Sequence, residues 1–237
     1  MVRAVLFDVD FTLARPGPEL GPDGYRRAGE RHGLVLDPDR YEAARLNALA
    51  SLQRHPELEH DDELWVAFTE RIVRGMGGDG DAARQCAIDL VRAWERHDRF
   101  TLYEDALPVL AELRGHGLKL GLVSNAFDPG WLLHRDLEHM GLAERLDFSV
   151  FSSEVGVRKP HPAIFERALE ALEVEPERAL FVGDRLYEDV RGAAEVGMTT
   201  VQALWFRADE HPDGAEPDHQ AFTQLDVLNI ARRLVAA

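Results

Sequence analysis

Two short apolar runs, far apart in the chain, each end in an aspartate: Ala4-Val-Leu-Phe-Asp8 near the start and Ala179-Leu-Phe-Val-Gly-Asp184 late. An apolar run this short, closed by a carboxylate, reads as a buried strand with the acid at its carboxyl end. Three more such runs, 118–124, 148–152 and 199–204, lie in the second half of the chain, and helical patterns separate them. Ala106 to His116 ends in a His-Gly stop, Pro162 to Leu172 carries proline in its first turn, and Asp189 to Val196 stops at Gly197. Strands alternating with helices predict an α/β fold: a doubly wound parallel sheet with right-handed crossovers, its site at the strands' carboxyl ends.

The rhythm breaks between about Pro18 and Asp98, where no strand pattern occurs. Helical patterns run through 24–31, 39–53, 61–75 and 81–97, separated by turns at Pro38, Pro56 and Gly77-Gly78-Asp79-Gly80. This predicts a helical domain, residues 17–99, inserted into a core built from 1–16 and 100–237. The stretch from His211 to His219 reads as a polar surface loop. At 45% hydrophobic residues the chain has material for such a core. The formal net charge of -16 disfavours nucleic acid and anionic lipid as partners, and means that any phosphate site must rely on local cations, metal or backbone amides. A single cysteine, Cys86, in a helical context, excludes a disulfide framework and fits a cytoplasmic setting. The N-terminus opens into a strand-like run with no signal-peptide pattern, and no apolar run reaches membrane-spanning length.

Four elements carry chemistry. In Asp8-Val-Asp10-Phe-Thr12, residues two apart on an extended chain point the same way, so Asp8 and Asp10 project into one site. One carboxylate can attack phosphorus while its neighbour moves a proton, and Thr12 offers a hydroxyl and an amide. The same residues also read as a strand end followed by a helix cap. Ser124, followed by Asn125, ends another strand and can meet a phosphate oxygen, or simply form a turn. Lys159, in Lys159-Pro160-His161-Pro162, can neutralise a carboxylate and a phosphate, or be a solvated loop cation. Lysine is rare here: only Lys119 and Lys159 among 27 basic residues. That bias points to a position where arginine does not serve. Finally, Gly183-Asp184 and Asp189 place two more carboxylates near the same sheet edge. Such a set suits magnesium, although Asp189 alone also reads as a helix N-terminal charge.

In this order and spacing, the four elements resemble the haloacid dehalogenase superfamily over nearly the whole core, and the helical insert resembles that superfamily's cap. The resemblance implies strand order 5-4-1-2-3, with Asp184 beside Asp8. It implies Asp8 as nucleophile, and Asp10 as general acid/base whose carbonyl also binds metal. Thr12, Ser124 and Asn125 are then phosphate-positioning residues, Lys159 the cation that steadies nucleophile and phosphate, and Asp184 and Asp189 magnesium ligands. Many relatives carry glycine where this chain has Phe11.

The function so implied is magnesium-dependent hydrolysis of a small phosphorylated metabolite through an aspartyl-phosphate, by a monomer or homodimer. A 2-haloacid dehalogenase, a phosphomutase and a non-catalytic binding protein are the alternatives. Asp10 argues against the dehalogenase, whose members lack that acid, and the intact set Asp8, Asp10, Lys159 and Asp184 argues against a non-catalytic protein. Arg15, His60 and Trp65 are candidate contacts from the cap, each with an ordinary surface or packing role as the competing reading.

Overall fold

The computed structural model describes residues 1–53, 62–94, 99–126, 128, 130–206 and 208–236. Ala4–Phe7 forms β1, with all four residues buried, as a strand paired on both sides and covered on both faces requires. Leu6 joins Ile164, Phe165, Ala168 and Phe181 in one core cluster. Val5, on the opposite face by the strand's period of two, is equally buried. After β1 come β2 (Ala14–Pro16), four helices, and β3 (Phe100–Leu102), which pairs with β2 as a two-stranded ribbon. The remaining elements are α5 (Ala106–Gly115), β4 (Lys119–Ser124), α6 (Gly130–His139), β5 (Phe148–Phe151), α7 (Ser152–Val155), α8 (Pro162–Leu172), β6 (Ala179–Gly183), α9 (Gly192–Glu195), β7 (Thr199–Ala203), β8 (His219–Ala221) and α10 (Gln224–Ala236). The four earlier helices are α1 (Pro22–Arg31), α2 (Tyr41–Gln53), α3 (Asp62–Gly75) and α4 (Gly80–Trp94).

The main sheet runs β5-β4-β1-β6-β7-β8, every pairing parallel. Numbered along the chain within this sheet, the strands lie 6-5-4-1-2-3. The predicted order is retained and a sixth strand is added outside the fifth. Sequence reading assigned His219 to a polar loop, because three residues with only Ala221 buried give no periodic signal. Asp218 fixes the strand by accepting from both the amide and the hydroxyl of Thr200 at 2.9 Å. Two other boundaries differ from expectation. The strand expected over 148–152 ends at Phe151, and Ser152 opens α7. The helix expected from Asp189 begins earlier, as a π-helical turn over Leu186–Arg191 that runs into α9.

The described residues divide into two compact units, Met1–Arg15 with Leu102–Ala237, and Pro16–Thr101. The second is helical, its interior formed by Tyr25, Ile72, Met76 and Cys86 among others. Trp65 is buried there, edge-on to Phe68 at 5.6 Å, a packing residue within its own unit. His60, the turn at Pro56, and the helix limits Asp61 and His97 lie outside the described residues. Among the described residues no helix is long and apolar enough to cross a membrane.

Candidate active site

Parallel pairing sets where the acids fall. Phe7 is in register with Leu122 on one side and Val182 on the other. The residues just beyond, Asp8, Val123-Ser124 and Gly183-Asp184, therefore meet at one sheet edge. Asp8 donates its amide to the Val182 carbonyl at 2.9 Å. Asp8, Asp184 and Asp189 are 7%, 1% and 1% exposed, and one oxygen of each lies within 4.8 Å of the others.

Lys159 comes to this edge from the loop between α7 and α8. Its Nζ donates to Asp8 Oδ1 at 2.7 Å, to Asp189 Oδ1 at 2.6 Å and to the Val123 carbonyl at 2.9 Å. All three ammonium hydrogens are thereby used, with the residue 4% exposed. Burial on its own would lower the pKa of Lys159, but the facing carboxylates of Asp189 and Asp8 outweigh it and hold the ammonium charged well above neutrality. Burial lifts the Asp8 carboxyl well above the ordinary range. Lys159 pulls it back, while Asp189, Asp184 and Asp10 push it further up.

Asp189 reaches the edge because the π-helical turn brings it beneath a glycine. Its Oδ2 accepts from the Arg185 amide at 3.0 Å. A methyl group on Gly183 would lie 2.5 Å from Asp189 Cβ and Oδ2, so close approach is available only to glycine.

Asn125 has a different surrounding from the one expected. Its Oδ1 accepts from the Lys159 amide at 2.7 Å and its Nδ2 donates to the Lys159 carbonyl at 3.1 Å. The side chain thus clamps the backbone of the lysine. Ser124 is buried at the end of β4. Thr12 is 0% exposed, its amide donates to the Val9 carbonyl at 3.2 Å, and its hydroxyl has no hydrogen-bond partner among the described residues. Neither group of Thr12 is displayed to solvent.

Asp10 is half-buried, past the end of β1, in a tight turn in which the Val9 carbonyl accepts from the amides of Leu13 and Ala14 as well. Phe11 occupies the left-handed region at φ 63°. That conformation costs a side chain of this kind about 1–2 kcal/mol, a cost glycine avoids. Its ring stacks on Phe206, centroids 4.1 Å apart and 18° from parallel, a contact worth roughly 0.5–1.5 kcal/mol. Sequence reading missed three positions at this edge: the Val123 carbonyl, Ser152, whose hydroxyl exchanges hydrogen bonds with the main chain of Ala126, and Phe206. None carries a local sequence signal, since each acts through a distant contact.

Among the described residues three buried carboxylates converge on the Lys159 ammonium, and the Arg185 guanidinium, which also acts on Asp184 and Asp189, is itself paired with Glu188. The ligands are hard, anionic and convergent, and the positive charge these side chains supply is too small for them. This donor set fits a divalent cation held by oxygen ligands. The grouping of nucleophilic, acidic and cationic side chains suits transfer of an anionic group with a carboxylate as acceptor.

A family model described as haloacid dehalogenase-like hydrolase matches residues 2–197. The chain is 31% identical over 99% of both sequences to a glyceraldehyde 3-phosphate phosphatase of Methanopyrus kandleri. It is 36% identical to a phosphoserine phosphatase of Thermus thermophilus, over 72% of this chain and 67% of that one. A crystal structure of a HAD phosphatase from Thermococcus onnurineus superposes with a TM-score of 0.64 at 27% identity, covering 97% of each chain.

Proposed function

Because the chain belongs to the haloacid dehalogenase-like hydrolases and is a phosphomonoester hydrolase of that superfamily, we propose that it hydrolyses a small phosphorylated metabolite through an aspartyl-phosphate on Asp8, with magnesium as cofactor. The observation that carries this reading is Lys159, seated between Asp8 and Asp189 with Asp184 closing a buried triad.

Lys159 holds one oxygen of Asp8 and leaves the other to attack phosphorus in line with the ester bond. As the bond to the leaving oxygen breaks, Asp10 donates a proton to it. Asp10 then takes a proton from water, the water attacks the phosphorus of the acyl-phosphate, and inorganic phosphate leaves Asp8 free. Asp8, Asp184 and Asp189, with the Asp10 carbonyl, would hold the magnesium ion, which supplies positive charge to the phosphoryl oxygens. Alignment supplies most of the rate, so groups that orient matter as much as groups that react. Asn125 serves as the clamp on Lys159. Ser124 is the phosphate contact best placed at the strand end, and Thr12 supports the turn from within. The helical unit, 17–99, acts as the cap that excludes water and reads the leaving group. The setting is cytoplasmic, and the protein acts as a monomer or homodimer.

The named relatives make three-carbon phosphomonoesters the first substrates to test. A screen of phosphorylated metabolites, with magnesium and with EDTA, tests the reading. Phosphate release from a subset, abolished by EDTA, is expected. Full turnover in EDTA contradicts the metal assignment. Chloride release from a 2-chloro acid without phosphatase activity contradicts the reaction itself.

A further inference from the structure

Among the described residues, only Phe11 and Glu173 combine a side chain with a left-handed backbone. Glu173 caps the C-terminus of α8, where that conformation is ordinary. Phe11 stands between Asp10 and Thr12, and glycine would take its φ of 63° without strain. Phenylalanine there makes a ring contact to Phe206 that glycine could not make. Phe206 follows β7 and is 49% exposed, so core burial does not explain its place. Backbone bonds cross this turn: the Val9 carbonyl receives the amides of residues 12–14, the Phe11 amide donates to the Ala14 carbonyl at 2.6 Å, and Gln224 Nε2 donates to the Thr12 carbonyl at 2.8 Å. Phe11 is the residue next to Asp10 in this turn, and the stack adds a side-chain tether to it.

We propose that Phe206 is a positioning residue for Asp10: its ring, stacked on Phe11, offsets the unfavourable backbone of Phe11 and fixes the direction in which Asp10 presents its carboxyl group. The strain at a bulky left-handed residue and the attraction in an aromatic stack are of the same order, so removing the ring frees the turn to relax. The inference rests on the reading of Asp10 as the acid that protonates the leaving oxygen. An error in its position then matters most for leaving groups that need the proton.

The test compares an alkyl phosphate with p-nitrophenyl phosphate. Phe206→Ala should lower kcat/KM on the alkyl ester roughly three- to tenfold, the range that one lost aromatic contact supports. It should leave kcat/KM on p-nitrophenyl phosphate nearly unchanged, since kcat/KM reports the steps up to departure of the leaving oxygen and not the later attack of water. Phe206→Leu, which keeps apolar bulk without a ring to stack, should behave alike. In a Phe11→Gly background, where the turn carries no strain, Phe206→Ala should have no further effect. Melting temperatures confirm that each variant is folded. Equal loss on both esters, no loss on either, or an undiminished loss in the Phe11→Gly background overturns the inference. Asp10→Asn separates the two levels. If it lowers kcat/KM on both esters equally, the acid assignment fails and the positioning role falls with it. If it is selective for the alkyl ester and Phe206→Ala is not, only the positioning role fails.

Discussion

Lys159→Met removes the one cation of the triad while keeping side-chain length. The three donors at 2.6, 2.7 and 2.9 Å vanish together from a residue that is 4% exposed. Asp8 and Asp189 then face each other without the ammonium that bonds both. Removing one member of a buried ion pair costs about 3–5 kcal/mol, because the remaining charge stays buried. In a chain of this size each kcal/mol moves the melting temperature by roughly 2–4 °C, so a fall of about 6–20 °C is expected. The pH dependence has a definite sign. Burial already raises Asp8, and loss of Lys159 raises it further. A group whose pKa is raised on folding stabilises below its unfolded value, and the contribution is lost as pH rises through the folded one. The deficit of Lys159→Met should therefore be larger at about pH 7.5 than at about pH 5, because protonation of the raised Asp8 carboxyl is increasingly favoured as pH falls. Thermal melts of variant and wild type in EDTA at the two pH values measure it. A variant melting within about 2 °C of wild type at both would refute the reasoning and return Lys159 to a solvated loop.

Lys159→Arg should keep the charge but lose about tenfold or more in kcat/KM, since a planar guanidinium cannot replace a point donor to three acceptors; steady-state kinetics decide. Gly183→Ala must displace Asp189, into whose side chain the new methyl would project. Magnesium affinity, read from activity against magnesium concentration, should weaken roughly tenfold or more. Cys86 is fully buried, and burial pushes its thiol up to about 11. A thiolate-directed reagent near about pH 8 should leave the native protein unlabelled and label it fully in denaturant. Rapid native labelling would contradict the packing of the helical unit.

The sheet edge was readable because apolar runs and terminal acids are local patterns. Asp8 and Asp184 announce themselves as the ends of strands, and parallel pairing brings them together without further information. Lys159 stood out through composition, as a lysine in a chain that otherwise uses arginine. What stayed hidden depends on contacts between distant segments. The amide of Asn125 is spent on the backbone of a residue 34 positions away, which no spacing rule discloses. Thr12 carries a hydroxyl in the expected place, but its burial follows from the packing of α10, whose Gln224 reaches its carbonyl. The π-helical turn seats Asp189 against Gly183, and β8 pairs with β7 with the help of Asp218 from the preceding loop; both are contacts between separate segments. Phe11 was visible as a departure from glycine, whereas its partner Phe206 was not.

The central claim is that Asp8 becomes covalently phosphorylated. Turnover of a phosphorus-labelled p-nitrophenyl phosphate can be stopped in acid within its first cycles and the labelled peptide sequenced. Label on Asp8 in the wild type, absent in Asp8→Asn and accumulating in Asp10→Asn as water attack slows, is the predicted result. Steady turnover with no labelled protein, or label retained in Asp8→Asn at another residue of the site, would contradict it.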